Sequence, residues 1–118
     1  SDVCSSDLQP LTTEEWKEWG NPANKKYYKY IKSYDPIKNI NFSLDYPNLY
    51  IYSNLHDTLV PYKQVLNYYE KIKKSNVFTH KEKFALLHTK LKYGHTQASD
   101  KSEIRNEQAE IFSIIIKY

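Results

Sequence analysis

Two short apolar runs, separated by an amphipathic stretch, form the clearest pattern in the chain. The runs, 49–53 (LYIYS) and 84–90 (FALLHTK), have the length and composition of β-strands. Between them, apolar residues recur at helical spacing from Pro61 to Ser75. The apolar face of this helix carries Val65, Leu66, Tyr69 and Ile72. A strand–helix–strand crossover makes the two strands parallel and almost always right-handed. The pattern therefore predicts an α/β unit whose two loops leave the same edge of the sheet.

Further helices are predicted on both sides of this unit. Residues 12–15 (TTEE) have the form of a capping box, which opens a short helix through Trp19. Asn24 is predicted to cap a second helix, which ends at Pro36. A last helix is predicted from about Ser102 to Lys117. Its apolar face is predicted to carry Ile104, Gln108, Ile111, Phe112 and Ile115.

The predicted sheet is incomplete. Parallel sheets are stable when several strands are present and both faces are covered, and the sequence offers no third run of comparable strength. We therefore expect missing strands upstream. Residues 1–8 closely resemble a translated sequencing-adapter peptide and are predicted to be non-native, which leaves 9–118 as the native part; an ordinary disordered terminus is the alternative.

Composition narrows the classes of function. Excluding residues 1–8 removes the only cysteine, Cys4, and with it disulfides, zinc–thiolate sites and a cysteine nucleophile. The net charge of +3 comes from scattered lysines, so no nucleic-acid partner is predicted. No apolar run reaches about 18 residues and no secretory signal opens the chain, so no membrane partner is predicted. The sequence does not identify the cellular compartment, although the cytoplasm is favoured. No metal-binding motif is present, and no metal site is predicted.

An aspartate and a histidine follow the two predicted strands. Asp57 comes after the first strand and His95 after the second, and neighbouring strands lie about 4.8 Å apart, so the two side chains are expected to meet. In acyl transfer by serine, an imidazole takes the hydroxyl proton while a carboxylate fixes the imidazole tautomer. The α/β-hydrolases place these groups in the order Ser, Asp or Glu, His. Gly94 is predicted to let the second loop turn sharply, and Pro61 to open the following helix.

Each of these residues also has a plain structural interpretation. An aspartate before a helix is often a cap or turn residue, and a Gly-His pair is common. His56 adjoins Asp57, but neighbouring side chains on an extended segment point to opposite sides, so His56 is predicted to pack locally. His80 and His88 are predicted to be structural or solvated.

Several short strings resemble, in order, the carboxyl-terminal part of the prolyl oligopeptidase family of serine peptidases, closest to oligopeptidase B. They are residues 10–22 (PLTTEEWKEWGNP), 27–28 (YY), 33–36 (SYDP), 46–47 (YP), 55–57 (LHD), 60–62 (VPY) and 94–95 (GH). The resemblance implies a carboxyl-terminal fragment of an α/β-hydrolase catalytic domain. The rest of that domain and a β-propeller domain would belong to the full-length protein. It also implies a serine-type endopeptidase that acts on short peptide substrates without a cofactor, with Asp57 and His95 as catalytic residues.

The same resemblance implies where the remaining groups lie. The nucleophile, in a Gly-x-Ser-x-Gly-Gly turn, would precede Gln9, so the fragment alone is predicted to be inactive. Ser53 and Ser99 lack the glycines of that turn and are not expected to be nucleophiles. Glu15 matches an acid that binds the basic side chain of the substrate in oligopeptidase B, whereas Lys17 occupies the position of another such acid.

Two alternatives stay open. A different α/β-hydrolase, such as an esterase or an acylaminoacyl peptidase, would share the Asp and His but not the string that begins at residue 12. A catalytically inert truncated product is the other alternative, because the serine is not in this chain. The family branch usually continues Gly-His-Gly-Gly, whereas residues 94–97 here read GHTQ, so this chain departs from the family's pattern in the loop around His95.

Overall fold

The computed structural model of the protein describes residues 13–75, 77–78, 82–95 and 100–117. Its helices and strands, in chain order, are α1 (Trp16–Trp19), α2 (Lys25–Tyr34), β1 (Leu49–Asn54), α3 (Tyr62–Lys74), β2 (Ala85–Lys90) and α4 (Lys101–Lys117). Within the described residues no helix is long and apolar enough to cross a membrane.

The two strands pair in parallel, as the sequence predicts. Leu49 lies opposite Ala85, and the register runs without a break to Asn54 opposite Lys90. Helix α3 lies between the strands in the chain and packs against both of them. The prediction of an α/β fold with two parallel strands, flanking helices and an incomplete sheet is therefore confirmed for the described part of the chain.

A small apolar core lies between α3 and one face of the sheet. Its buried members are Ile40, Ile72, Val77 and Ala85, with Ile72 and Val77 fully buried. The amide of Tyr46 donates to the carbonyl oxygen of Val77 at 2.8 Å, which joins the segment before β1 to the segment after α3. Burial of each side chain of the size of Ile72 or Val77 stabilises the folded state by about 1.5–3 kcal/mol. The predicted apolar face of α3 is thus the face that anchors the crossover.

The helix ends depend on a few local interactions. The side chain of Asn24 accepts a hydrogen bond from the amide of Lys26 at 3.0 Å, which confirms the predicted cap of α2. Helix α1 begins at Trp16 after Glu15, which makes no side-chain capping hydrogen bond, and Thr12 of the predicted capping box lies outside the described residues. Gly20 ends α1 with a φ of 91°, a conformation that favours glycine.

Helix α4 presents only part of its predicted face to the sheet: Ile104 and Ile111 are partly buried as predicted, whereas Gln108 is exposed. Glu107 is buried, while Phe112 and Ile115 are mostly exposed. Partly buried apolar positions accompany Glu107 at Ile104, Ile111 and Ile114. Glu107 forms an ion pair with Lys90 at the end of β2, so the buried position of this helix is held by a charged residue that has a partner. The spacing of apolar residues along a helix does not predict an ion pair with a residue of another element.

Candidate active site

The loop that follows β1 is shaped by Asp57. The amide of Leu55 donates to the carbonyl oxygen of Lys90 at 2.8 Å, which extends the strand pairing by one step. Oδ1 of Asp57 then accepts hydrogen bonds from the amides of Leu59 at 2.9 Å and Val60 at 2.8 Å. An aspartate that bonds the backbone two and three residues ahead forms an Asx-type turn. Asp57 is therefore a turn residue, as its plain structural interpretation predicts. It also contacts a histidine.

The structure brings Asp57 and His95 together. Nδ1 of His95 lies 3.1 Å from each carboxylate oxygen of Asp57. An ionised carboxylate can only accept, so Nδ1 must carry the proton in this contact, and a neutral ring then has Nε2 as its acceptor. This arrangement leaves a proton-accepting nitrogen on the ring edge opposite the aspartate.

Burial and charge differ sharply between the two partners. The side chain of Asp57 is 11% exposed, whereas that of His95 is 50% exposed. Burial pushes the pKa of Asp57 up, but hydrogen bonds from the Val60 amide, from His95 and from the Leu59 amide outweigh it and lower the pKa below its ordinary value. The carboxylate therefore stays ionised near neutral pH, while half of the imidazole surface faces outward.

A cavity of about 250 Å³ lies beside the pair. Its lining residues are Tyr52, Ser53, Asn54, Asp57, Val60, Val65 and His95. Ser53 is buried at the end of β1 and its hydroxyl lies 3.3 Å from that of Thr89, so it is a strand residue and not an exposed nucleophile. The part of the chain that the structure describes contains no group of three or more metal-ligating side chains.

The other predicted site residues lie apart from this cavity or outside the described residues. Glu15 is exposed at the start of α1 and is not among the residues that line the cavity. The side chain of His56 is also exposed. His88 lies in β2, where its Nδ1 is 2.6 Å from the hydroxyl of Tyr50. His80 and Ser99 lie outside the described residues.

The role predicted for Gly94 is not supported. Its φ does not lie in the left-handed region, and Gly20 is the only glycine of the described residues with a positive φ. A Cβ atom added to Gly94 would lie 3.4 Å from the carbonyl oxygen of His56, which is an ordinary contact. The loop before His95 therefore turns without a conformation reserved for glycine.

The sequence predicted a turn role as one interpretation of Asp57, but not the particular groups that contact the two loops. The amides of Leu59 and Val60 were signalled by an aspartate two and three residues before them, which is the spacing of an Asx turn. Glu103 and Glu107 of α4, which contact residues near both strand ends, carry no such local signal.

The fold and the pair together define a class of protein. A parallel strand–helix–strand unit in which an aspartate and a histidine meet beyond the carboxyl ends of the strands is the arrangement of an α/β-hydrolase.

Comparison with known proteins identifies the family. The sequence model of the prolyl oligopeptidase family matches residues 1–118, and the chain belongs to that family. It is 33% identical over 118 residues to "Dipeptidyl aminopeptidase BI" of Pseudoxanthomonas mexicana, a match that covers 98% of this chain and 16% of that protein. It is 31% identical over 107 residues to "Protease 2" of Moraxella lacunata, covering 91% of this chain and 15% of that protein.

A solved structure agrees with the sequence relatives. Oligopeptidase B from Leishmania major superposes with a TM-score of 0.74 at 37% identity, over 85% of this chain and 13% of that one. The predicted membership of the family and the predicted α/β-hydrolase fold are both confirmed. The chain spans only 16% of the length of the first of these relatives, so its own sequence represents a small part of such a protein.

Proposed function

We propose that residues 9–118 form the carboxyl-terminal part of the catalytic domain of a serine-type oligopeptidase, in which Asp57 and His95 are two members of a Ser-Asp-His triad. The contact between Nδ1 of His95 and the Asp57 carboxylate, at 3.1 Å, carries this proposal. The relatives support peptide rather than ester substrates, since "Dipeptidyl aminopeptidase BI" and "Protease 2" are both names of peptidases.

In this mechanism His95 moves the proton and Asp57 orients the ring. Nε2 takes the proton of the serine hydroxyl as its oxygen attacks the peptide carbonyl carbon, and later delivers that proton to the leaving amine. Asp57 holds Nδ1 protonated and stabilises the imidazolium that forms. Its lowered pKa keeps it charged throughout. The proton path uses side chains alone and calls for no cofactor.

The serine and the remaining strands are proposed to lie in a preceding part of the full-length protein. A β-propeller domain that limits substrate size is proposed to accompany them. The fragment by itself has the base and the orienting acid but no activated nucleophile, so we expect it to be inactive.

The test uses the full-length protein that carries this segment. A fluorophosphonate probe labels a serine only when an imidazole activates it, so labelling and peptide hydrolysis should both be lost in the His95→Ala variant. His56→Ala is the matched control, because His56 is an exposed histidine next to Asp57. Labelling of His95→Ala at the wild-type rate would exclude His95 as the general base.

Substrate preference is proposed to depend on α1. Glu15, just before α1, and Lys17, within it, are both exposed and carry opposite charges, so a basic substrate side chain would be attracted by one and repelled by the other. If Glu15 binds that side chain, Glu15→Gln should weaken hydrolysis of arginyl peptides more than that of prolyl peptides, and Lys17→Glu should favour arginyl peptides. Equal or proline-favoured rates in the wild type would reject a basic-residue preference.

A further inference from the structure

A buried carboxylate of α4 joins the ends of both strands. Glu107 is 8% exposed. It forms an ion pair with Lys90, the last residue of β2. Its Oε1 also accepts a hydrogen bond from the hydroxyl of Tyr52 in β1 at 3.2 Å. Lys90 lies opposite Asn54, the last residue of β1, so Glu107 reaches the sheet where the chain enters the Asp57 and His95 loops.

A second carboxylate of the same helix reaches the His95 loop itself. Tyr93, two residues before His95, donates its hydroxyl hydrogen bond to Glu103. Lys90 Nζ lies 5.4 Å from the centroid of the Tyr93 ring, within the range of a cation–π contact. The hydrogen bond to Glu103 raises the pKa of Tyr93, so the hydroxyl keeps its proton and remains a donor at neutral pH.

Three of the described residues of this loop are exposed. Leu91 and Lys92, between β2 and Tyr93, are exposed. His95 is itself half exposed and meets the fold through Asp57. A loop of this kind keeps a fixed geometry only if one of its side chains is anchored to a regular element, because exposed loop residues otherwise sample many conformations. Among the described residues of the loop, Tyr93 supplies such an anchor through its hydrogen bond to α4.

We propose that Glu103 is a positioning residue for the catalytic histidine: through Tyr93 it ties the His95 loop to α4, which Glu107 fixes against both strands. This inference rests on the proposed function, since it assigns the anchor a part in catalysis. A general base displaced by about 1 Å can lose up to 10²-fold in rate. An anchor of the loop therefore affects kcat more than substrate binding.

The experiment is a double-mutant cycle on the full-length protein with Tyr93→Phe, Glu103→Ala and the two combined. Each single variant should lower kcat about tenfold with little change in KM. The double variant should be no slower than the slower single one, because both changes break the same contact. Glu103→Gln keeps a side-chain oxygen that can accept from Tyr93, so it should recover most of the activity.

Tyr50→Phe is the matched control. It removes the same hydroxyl group from the same interface between the sheet and α4, where Tyr50 bonds His88 at 2.6 Å. Tyr50 lies four residues before the end of β1, about 13 Å from the strand end that leads to Asp57. Its variant should lose thermal stability similar to that of Tyr93→Phe but retain wild-type kcat. Equal losses of kcat in the two variants, or additive losses in the cycle, would overturn the proposal.

A readout without turnover separates this inference from the proposed function. In protein labelled with ¹³C-histidine, the signal of His95 can be assigned by its absence in His95→Ala. It should shift or broaden in Tyr93→Phe and stay unchanged in Tyr50→Phe. An unchanged His95 signal in Tyr93→Phe would reject the anchor. A shifted signal, together with wild-type peptide hydrolysis by His95→Ala, would instead retain the anchor and reject the proposed peptidase mechanism.

Discussion

Replacing Asp57 by asparagine is the sharpest perturbation of the candidate site, because it changes the charge and hydrogen bonding of one atom position with little change in shape. Oδ1 of Asp57 accepts from the amides of Leu59 and Val60. The oxygen of an asparagine can keep both hydrogen bonds, which places its NH₂ group where Oδ2 stands, 3.1 Å from Nδ1 of His95. The turn is thus expected to survive the substitution.

The NH₂ group reverses the direction of the contact with His95. An amide N–H donates, so the new NH₂ group favours the tautomer in which Nδ1 of His95 accepts and Nε2 carries the proton, in competition with the oxygen at the Oδ1 position, which also lies 3.1 Å from Nδ1. A ring in that tautomer cannot take a proton from serine. The equivalent substitution in the serine-protease template lowers kcat by about 10⁴-fold, which corresponds to about 5 kcal/mol of transition-state stabilisation. We expect a loss of the same order for Asp57→Asn in the full-length protein.

The assay is steady-state hydrolysis of a chromogenic peptide, with thermal unfolding of each variant measured in parallel. Asp57→Ala should lose similar activity and also about 0.5–1.5 kcal/mol of stability, because the exposed amides of Leu59 and Val60 exchange their carboxylate acceptor for water. Asp57→Asn should lose less stability than Asp57→Ala, because its oxygen keeps the turn and only the contribution of the ionised carboxylate is removed. Activity of Asp57→Asn within about tenfold of the wild type would refute the assignment of Asp57 as the orienting acid.

The same variant tests the charge of Asp57 through pH. Hydrogen bonds from Val60, His95 and Leu59 outweigh burial and lower the pKa of Asp57 below its ordinary value of 3.8. A carboxyl group with a lowered pKa in the folded state contributes stability that is complete above the unfolded value and is lost as pH falls through the folded one. The difference in melting temperature between wild type and Asp57→Asn should therefore shrink below pH 3.8. A difference that stays constant down to about pH 2.5 would contradict an ionised, stabilising Asp57.

Two stability predictions follow from the backbone and the core. Gly20→Ala should cost more than about 1 kcal/mol, because the φ of 91° is strained for alanine and its Cβ would enter the ring of Tyr27, whereas Gly94→Ala should be tolerated. Equal melting temperatures for these two variants would contradict the backbone argument. Ile72→Ala should cost about 2–5 kcal/mol, because Ile72 is fully buried, while Leu91→Ala, at an exposed position, should stay within about 0.5 kcal/mol in denaturant unfolding. A small loss of stability in Ile72→Ala would contradict the assignment of Ile72 to the core.

Local sequence determined the elements of this fold because their signals act over a few residues. The side chain of Asn24 caps a helix from its own neighbourhood, and the apolar face around Ile72 follows from helical spacing. The parallel pairing also followed, since a strand–helix–strand order leaves few other topologies. For the same reason, the meeting of Asp57 and His95 could be predicted: parallel strands end at one edge, and each residue lies a few positions beyond its strand.

Tertiary structure alone decided how the site is held. The orientation of α4 is visible only in the fold, where its buried residue is Glu107, paired with Lys90 of a different element. The anchor of the His95 loop at Glu103 depends on the same orientation. Nor could the sequence show that Gly94 needs no special backbone conformation, because loop dihedrals follow from where the strands and α4 place the ends of the loop. Residue types thus specified the chemistry, while long-range packing specified its geometry.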